Sequence, residues 1–503
     1  MIFKILFGSL ILCYLFMRFK YRRFYELSRQ LNNDILTLPF LGHLYLFIGN
    51  GEDLMNAFKY FGKKALNNGG MSALWLGTKL LTVIADPVIA DYLSKTCLEK
   101  DNITQMAQYL IGNGSIFAPV SIWRPRRKLV SLNFSLPRLN HFVDIFSQQG
   151  LILVNTLKRS EGKQPISLFK YLIAYSMDSV CESTLGIKLS VQNNSEHPFP
   201  KAFEYQCRIY IKHLFQPYIY DNPFYKLTPA YAKFTKNNQI MRDFVKKVII
   251  YNIYAVIFNI GKLDKIKTFL EMMTNKSDGE QGLSDLEILE ELLVLFVAGT
   301  DTSATGAAFV GVMLSRHPEV QDKVYNELQE LFGDSDKHVT AKDLTQLKYL
   351  EAVVKETLRL YPPVPITMRM VDQDVTIPSG ITLVKDSTLL IHNWAINRNP
   401  EYWGEDAEEF RPERFFDDPP KHSAAFASFS LGPRNCLGYK YALMAISTVT
   451  IHLVRNFKLV LPGADINLKT GKCLDKEKPL RVKFEVMMKD VDDFKVRLVP
   501  RTK

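Results

Sequence analysis

Apolar residues in this chain fall into one unbroken run at the N-terminus, a few short strand-like segments and many long helical stripes. The run covers Ile5 to Met17 and is closed by Arg18, Lys20, Arg22 and Arg23. A bilayer core asks for about 20 residues of helix. Lys4 can snorkel at one end, and Met1 to Phe3 together with Phe19 lengthen the apolar stretch. A cleaved signal peptide has an apolar region of similar length, but the residues that follow here are large and basic, not small. The run therefore predicts an uncleaved signal-anchor helix over residues 1–17 and a basic linker over 18–38. The basic flank predicts that the bulk of the chain stays on the cytosolic side. Leu38-Pro39-Phe40-Leu41-Gly42 is a turn signal opening a folded domain over residues 39–503.

Within that domain, Leu74-Trp75-Leu76-Gly77 and Leu80-Leu81-Thr82-Val83-Ile84 flank a Gly-Thr-Lys turn and predict a β-hairpin. Helical periodicity dominates afterwards. Trp123-Arg124-Pro125-Arg126-Arg127-Lys128 predicts a helix start with Pro125 in its first turn; Trp123 and Arg127, four apart, share a face. Helices continue from Leu151 to Phe258, interrupted at Asn193 to Pro200 and by a Tyr- and Phe-rich stretch from Pro217 to Pro229. Lys276 to Gly282 predicts an exposed polar loop. Ser284-Asp285-Leu286-Glu287 is a capping box, and the apolar pattern behind it runs to about Arg316, roughly 50 Å of helix. Glu356-Thr357-Leu358-Arg359 lies on a helix stopped by Pro362-Pro363, and Val482 to Met488 with Phe494 to Leu498 predict a terminal β-pair. The fold class is mainly α with small β-sheets.

The chain has 503 residues, 47% of them hydrophobic, enough for a large core, and no linker divides it. The net charge of +11 suits nucleic acid, an anionic membrane or an acidic protein. No zinc-finger spacing or nucleic-acid motif is present, which leaves membrane and protein partner. The six cysteines, at 13, 97, 181, 207, 436 and 473, show no paired spacing. That scatter fits a reducing compartment rather than a disulfide framework, where a triplet such as Asn102-Ile103-Thr104 stays unglycosylated.

Two stretches carry candidate chemistry. Inside the long helix, Ala298-Gly299-Thr300-Asp301-Thr302-Ser303 places residues that cost stability in a buried helix. This predicts either a packing contact at Gly299 with solvent-facing neighbours, or a groove for a small ligand and proton delivery. Near the C-terminus, Phe429-Ser430-Leu431-Gly432-Pro433-Arg434-Asn435-Cys436-Leu437-Gly438 leads into an apolar helix predicted from about Leu437 towards Val454. A lone cysteine is ordinarily a small buried hydrophobe. At a helix start it is favoured as thiolate, and Arg434 is a fixed cation suited to a carboxylate. Haem with an axial cysteine fits the combination.

The spacing F-x-x-G-x-R-x-C-x-G resembles the haem-binding signature of the cytochromes P450. Trp123 and Arg127 resemble the family's W-x-x-x-R, the Ala298–Ser303 stretch its oxygen-binding motif, Glu356 and Arg359 its E-x-x-R, and Pro412-Glu413-Arg414-Phe415 its P-E-R-F. The resemblance implies the P450 fold, α+β with one N-terminal membrane-anchor helix, and haem b held by Cys436 as axial ligand. It implies that Phe429, Gly432 and Gly438 shape the cradle and that Arg434, Trp123, Arg127 and Arg369 reach the propionates. Asp301 and Thr302 would be catalytic, relaying protons and hydrogen-bonding dioxygen, while Glu356, Arg359 and Arg414 support the Cys loop. Asn397, where the family often has His, and Ser428, where Pro is common, depart from its pattern.

By the same resemblance the chain is a monooxygenase of the endoplasmic reticulum membrane, taking electrons from NADPH through a cytochrome P450 reductase, with cytochrome b5 as a second donor. Arg124, Arg126, Lys128 and Lys440 would form the basic docking face. The flavour is that of the animal branch containing fatty-acid ω-hydroxylases, although Ala298 stands where that branch often carries an ester-forming Glu; this predicts non-covalent haem. Apolar residues such as Ile116, Phe117, Phe296, Val364 and Ile366 would line a cavity for a lipophilic substrate. A P450-fold isomerase or dehydratase working on peroxides without a reductase, and a non-enzymatic haem-binding protein, are the alternatives.

Overall fold

The computed structural model describes residues 2–31, 34–101, 111–159, 164–194, 198–215, 223–257, 282–335, 337–462 and 479–501. Asn102-Ile103-Thr104, residues 276–281 of the polar loop, Tyr218, Tyr220 and Cys473 lie outside them. The chain is mainly helical with small sheets and divides into two compact units.

The first unit gathers Met1–Asn102, Val364–Glu409 and Pro419–Cys436. Its N-terminal helix runs Ile2–Lys20, with no buried residue, and is apolar and long enough to be a candidate membrane anchor. A second helix, Arg22–Gln30, occupies part of the basic stretch and buries Leu27. Tyr25 stacks on Trp75 with ring centroids 4.6 Å apart. At the Pro39 turn Gly42 has φ 58°, and a Cβ there would lie 2.5 Å from the Trp75 carbonyl oxygen, so only glycine fits. The predicted hairpin is β1 (Met71–Leu76) and β2 (Lys79–Ile84). Together with β4 (Thr367–Met370) and β7 (Thr388–Ile391) it forms a sheet of order β1-β2-β7-β4, in which β2 and β7 run parallel. Leu81, Thr82, Val83 and Ile84 pair with Thr388, Leu389, Leu390 and Ile391, and all eight are fully buried. Burial of successive residues along β2 and β7 marks strands covered on both faces. Val375–Thr376 (β5) and Thr382–Leu383 (β6) make a small antiparallel pair.

The second unit gathers Ile103–Pro363, Phe410–Asp418 and Leu437–Lys503. Its axis is the helix Asp285–Arg316, started by the Ser284 capping box, with Glu287 returning a carboxylate oxygen to the Ser284 amide. Glycines let neighbours press close: a Cβ on Gly299 would lie 3.1 Å from Val180, and one on Gly306 would lie 2.8 Å from Ile446. A three-stranded sheet orders β3 (Ile166–Ser167), β11 (Lys495–Pro500) and β8 (Phe457–Val460).

Three local expectations are corrected. The predicted terminal pair does not form: the chain turns at Val486 (φ 67°), so β9 (Val482–Glu485) pairs with β10 (Met487–Asp490), and β11 bonds instead to β8 and β3. The helix expected at Trp123 begins at Val120, which puts Pro125 in the interior and takes the amide partner from the exposed Ser121 carbonyl. The helix after the Cys loop spans Tyr439–Asn456, later than expected, with Gly438 as its N-cap.

Candidate functional site

In the first unit the loop around Cys436 is closed by its own backbone. The Cys436 amide donates to the Phe429 carbonyl at 2.8 Å, Ser430 to Ala427 at 2.9 Å and Asn435 to Gly432 at 3.1 Å. Ser430 (φ 61°) and Gly432 (φ 69°) sit in the left-handed region. A Cβ on Gly432 would meet the Ser94 carbonyl oxygen at 2.5 Å, so the loop lies against that backbone only because this residue is glycine. The Cys436 side chain is exposed, whereas Cys97 and Cys181 are buried and burial pushes both thiols up, Cys97 to about 11. Because the following helix begins at Tyr439, its dipole, which fades within a turn, acts on Cys436 only at its limit.

The two departures from the family pattern meet in space. Asn397 is fully buried; its Oδ1 accepts from the Ala427 amide at 2.7 Å and its Nδ2 donates to Ser428 Oγ at 2.9 Å. Asparagine thus ties down the start of the Cys loop, and serine at 428 supplies an acceptor that proline lacks. Asn397→Ala is expected to cost about 1–3 kcal/mol, the penalty of stranding a buried amide, read as a lower unfolding midpoint. An unchanged midpoint would refute the tether.

Cations concentrate in the same unit. Arg434 is buried and donates from Nη1 to the Leu98 carbonyl at 2.9 Å. Arg369, on β4, is wholly buried; Nη1 reaches the Met368 carbonyl, but Nε and Nη2 find no acceptor among the described residues. Burial, reinforced by the like charge of Arg434, lowers its pKa to about 10. Lys100 joins them: although its side chain keeps some exposure, desolvation and the charges of Arg369 and Arg434 push its ammonium well below the usual lysine range. Lys100 was missed in the sequence, where it reads as one more surface lysine.

In the second unit Trp123 is buried and Arg127 half-buried on the helix Val120–Ser131. Arg126 is not a docking cation. It is buried, donates to Glu290 at 3.0 Å, Glu291 at 3.3 Å and Glu287 at 3.2 Å, and so offsets part of the acidic charge in the first turns of the long helix. Arg124, Lys128 and Lys440 are exposed. Further along the long helix, Thr302 donates from Oγ1 to the Ala298 carbonyl at 2.5 Å. Asp301 is buried and ion-paired with Lys489 of β10, a partner the sequence did not point to.

Glu356, Arg359 and Arg414 lie together, each no more than 1% exposed. Arg359 grips Glu356 in fork geometry, Nε to Oε2 at 2.7 Å and Nη2 to Oε1 at 2.9 Å. Arg414 Nε and the Arg411 amide both donate to Oε1 at 2.9 Å. Among the described residues, no group of three or more His, Cys, Asp and Glu is arranged to hold a bare metal ion.

The family profile described as Cytochrome P450 matches residues 35–484. The chain is 31% identical over 463 residues to Cytochrome P450 4d2 of Drosophila melanogaster, covering 87% of this chain and 91% of that protein. It is 30% identical over 467 residues to Cytochrome P450 4V2 of Mus musculus (90% and 88% covered). With Cytochrome P450 4c3 of Drosophila melanogaster it shares 26% over 490 residues (92% and 88% covered).

Proposed function

The chain belongs to the cytochrome P450 family, and from that premise we propose that it inserts one atom of dioxygen into a lipophilic substrate, with electrons relayed from NADPH by a reductase. The observation that carries the site reading is the pair of buried nitrogens on Arg369 that find no acceptor among the described residues. An uncompensated buried guanidinium costs several kcal/mol, and together with the nearby charges of Arg434 and Lys100 it has the chemistry of a carboxylate receptor. A haem presents carboxylates to such cations and iron to a thiolate, so the residues present fit the group.

Bound haem supplies the iron at which dioxygen is reduced and an oxygen atom is passed on. Cys436 would hold the haem iron, and its thiolate would supply electron density to it. Arg369 and Arg434, with Trp123 and Arg127, hold the propionates, and Lys100 adds a cation to the same task. Gly432, which lets the loop press against Ser94, would shape the cradle for the flat ring together with Phe429 and Gly438. Ala298 has no nucleophile, which keeps the haem non-covalent. Asp301 carries protons inward from water, and Thr302 passes them on through its hydroxyl once that hydroxyl leaves the Ala298 carbonyl. Glu356, Arg359 and Arg414 act as scaffold. The Ile2–Lys20 helix anchors the protein in the endoplasmic reticulum membrane with the remainder in the cytosol, and Arg124, Lys128 and Lys440 steer an acidic reductase, or cytochrome b5, electrostatically.

The test is turnover with recombinant reductase. Reductase-dependent NADPH consumption with an oxygenated product supports the reading; turnover of a peroxide alone, or none with a panel of fatty acids, steroids and terpenoids, would reject it. Thr302→Ala is expected to keep the absorption spectrum of the loaded protein while product per NADPH falls by about 100-fold or less, the lower range for a proton-transfer group, and peroxide rises. Unchanged coupling would refute the role of Thr302.

A further inference from the structure

We propose that the elbow between the N-terminal helix and the rest of the first unit holds the phosphate of one anionic membrane phospholipid, clamped between Arg18 and Arg29; this rests on the anchor role proposed above for the Ile2–Lys20 helix. A cavity of about 190 Å³ opens there. It is bounded by Tyr14 and Arg18 of that helix, Ser28 and Arg29 of the helix Arg22–Gln30, Thr37 of the segment that follows, and Trp75 of β1. Tyr14 and Arg18, four apart, share one helix face, as do Tyr25 and Arg29 on the next helix. Stacking builds the wall: the Arg18 guanidinium lies 4.1 Å over the Tyr25 ring, Tyr25 rests on Trp75, and Trp75 Nε1 donates to Ser28 Oγ at 2.9 Å. Tyr14 meets Phe40 edge-on with ring centroids 5.9 Å apart, which ties the helix to the Pro39 turn.

Two cations and several hydroxyls line the cavity, and among the described residues no carboxylate does. Guanidinium forks match phosphate oxygens two at a time, through charge-assisted hydrogen bonds of the stronger kind. Depth agrees with chemistry. At 1.5 Å per residue, Ile2 to Arg18 spans about 24 Å of helix with no buried residue, against a hydrocarbon core of about 30 Å, so Arg18 stands where acyl chains give way to headgroups. Leu36 and Leu41, on either side of the Pro39 turn, are exposed and suit the same interface. A choline headgroup fits less well: its ammonium would meet no carboxylate, and Arg18 and Trp75 already occupy the Tyr25 ring that could have received it. Lys20 and Arg22 are exposed cations of the same stretch but line no part of the cavity, lying instead over the rings of Tyr21 and Phe19. One built site therefore stands beside a diffuse basic flank, and substitution separates the two.

The experiment places the full-length, haem-loaded protein in vesicles of phosphatidylcholine, alone or mixed with phosphatidylserine. Flotation reads anchoring, and native mass spectrometry of protein withdrawn at high salt, where diffuse surface attraction is screened, counts the phosphatidylserine retained. The parent is expected to float with both vesicles, to retain one phosphatidylserine saturably, and to keep it when inorganic phosphate is added. Arg29→Gln, a change at an exposed residue, is expected to keep flotation and the unfolding midpoint in detergent but to weaken retention by about tenfold or more, the range for a hydrogen bond to a charged group. Arg22→Gln removes the same charge outside the cavity and is expected to retain the lipid as the parent does. Parental retention in Arg29→Gln, equal loss in Arg22→Gln and Arg29→Gln, or no retained phosphatidylserine in a parent that floats overturns the proposal. Displacement by inorganic phosphate overturns the membrane lipid as the occupant. A parent that floats with neither vesicle overturns instead the anchor reading beneath it.

Discussion

Cys436→Ser is expected to lose the red-shifted Soret band of the reduced carbon monoxide complex, and monooxygenation with it. The thiolate is a soft anionic donor; a serine hydroxyl of nearly the same size is neither anionic at working pH nor soft. The substitution leaves the loop intact, because that loop is closed by backbone bonds from Cys436 to Phe429 and from Ser430 to Ala427, and its tether to Asn397 does not involve the sulfur. The unfolding midpoint of the polypeptide should therefore change little while the spectrum changes completely. That separation distinguishes ligation from folding. A thiolate-type spectrum in Cys436→Ser would end the assignment.

The second large effect has the opposite signature. Glu356→Ala leaves Arg359 and Arg414 facing each other, fully buried, without their shared carboxylate, and takes an acceptor from the Arg411 amide. Breaking a buried cluster in this way costs about 3–5 kcal/mol, against about 0.2–0.5 kcal/mol for an exposed pair at the same helical spacing. Haem loss from the purified protein and a lowered unfolding midpoint are the expected readouts, with normal chemistry in any fraction that stays loaded. A variant within half a kcal/mol of the parent, or one that keeps its haem but turns over slowly, would contradict the structural role.

How much of this was legible beforehand depended on the distance between partners along the chain. Glu356 and Arg359 are an i, i+3 pair on a helix whose end Pro362 announces, and the structure adds a fork that spacing alone allows. The capping box at Ser284 and the β1–β2 hairpin are equally local, and both are present. Arg126 illustrates the limit. Helical periodicity tells which residues share a face but not what that face meets, and Glu290 lies 164 positions away. Lys489 is 188 positions from Asp301 on a strand with no distinguishing pattern, so nothing local singles it out. The terminal strands failed for the same reason: β11 had an adjacent candidate partner, yet it pairs with β8. Asn397 and Ser428 looked like separate departures and form one hydrogen-bonded pair, which only three-dimensional proximity reveals.

The make-up of the first unit bears on how the protein is made. It is assembled from Met1–Asn102, Val364–Glu409 and Pro419–Cys436, and its central contact is the parallel register of Leu81 with Thr388. On the ribosome the N-terminal helix and the β1–β2 hairpin emerge first, and at about 5–20 residues per second the strand that covers β2 follows only on the order of tens of seconds later. Through that interval β2 presents an unpaired apolar edge, the kind of edge that recruits other chains. Parallel pairing across so long a loop is also intrinsically slow to form. The cysteine is the last residue of the unit, so the nascent chain holds no complete receptor for its cofactor until the unit's final segment has left the exit tunnel. Cofactor supply during synthesis is then expected to be a determinant of yield.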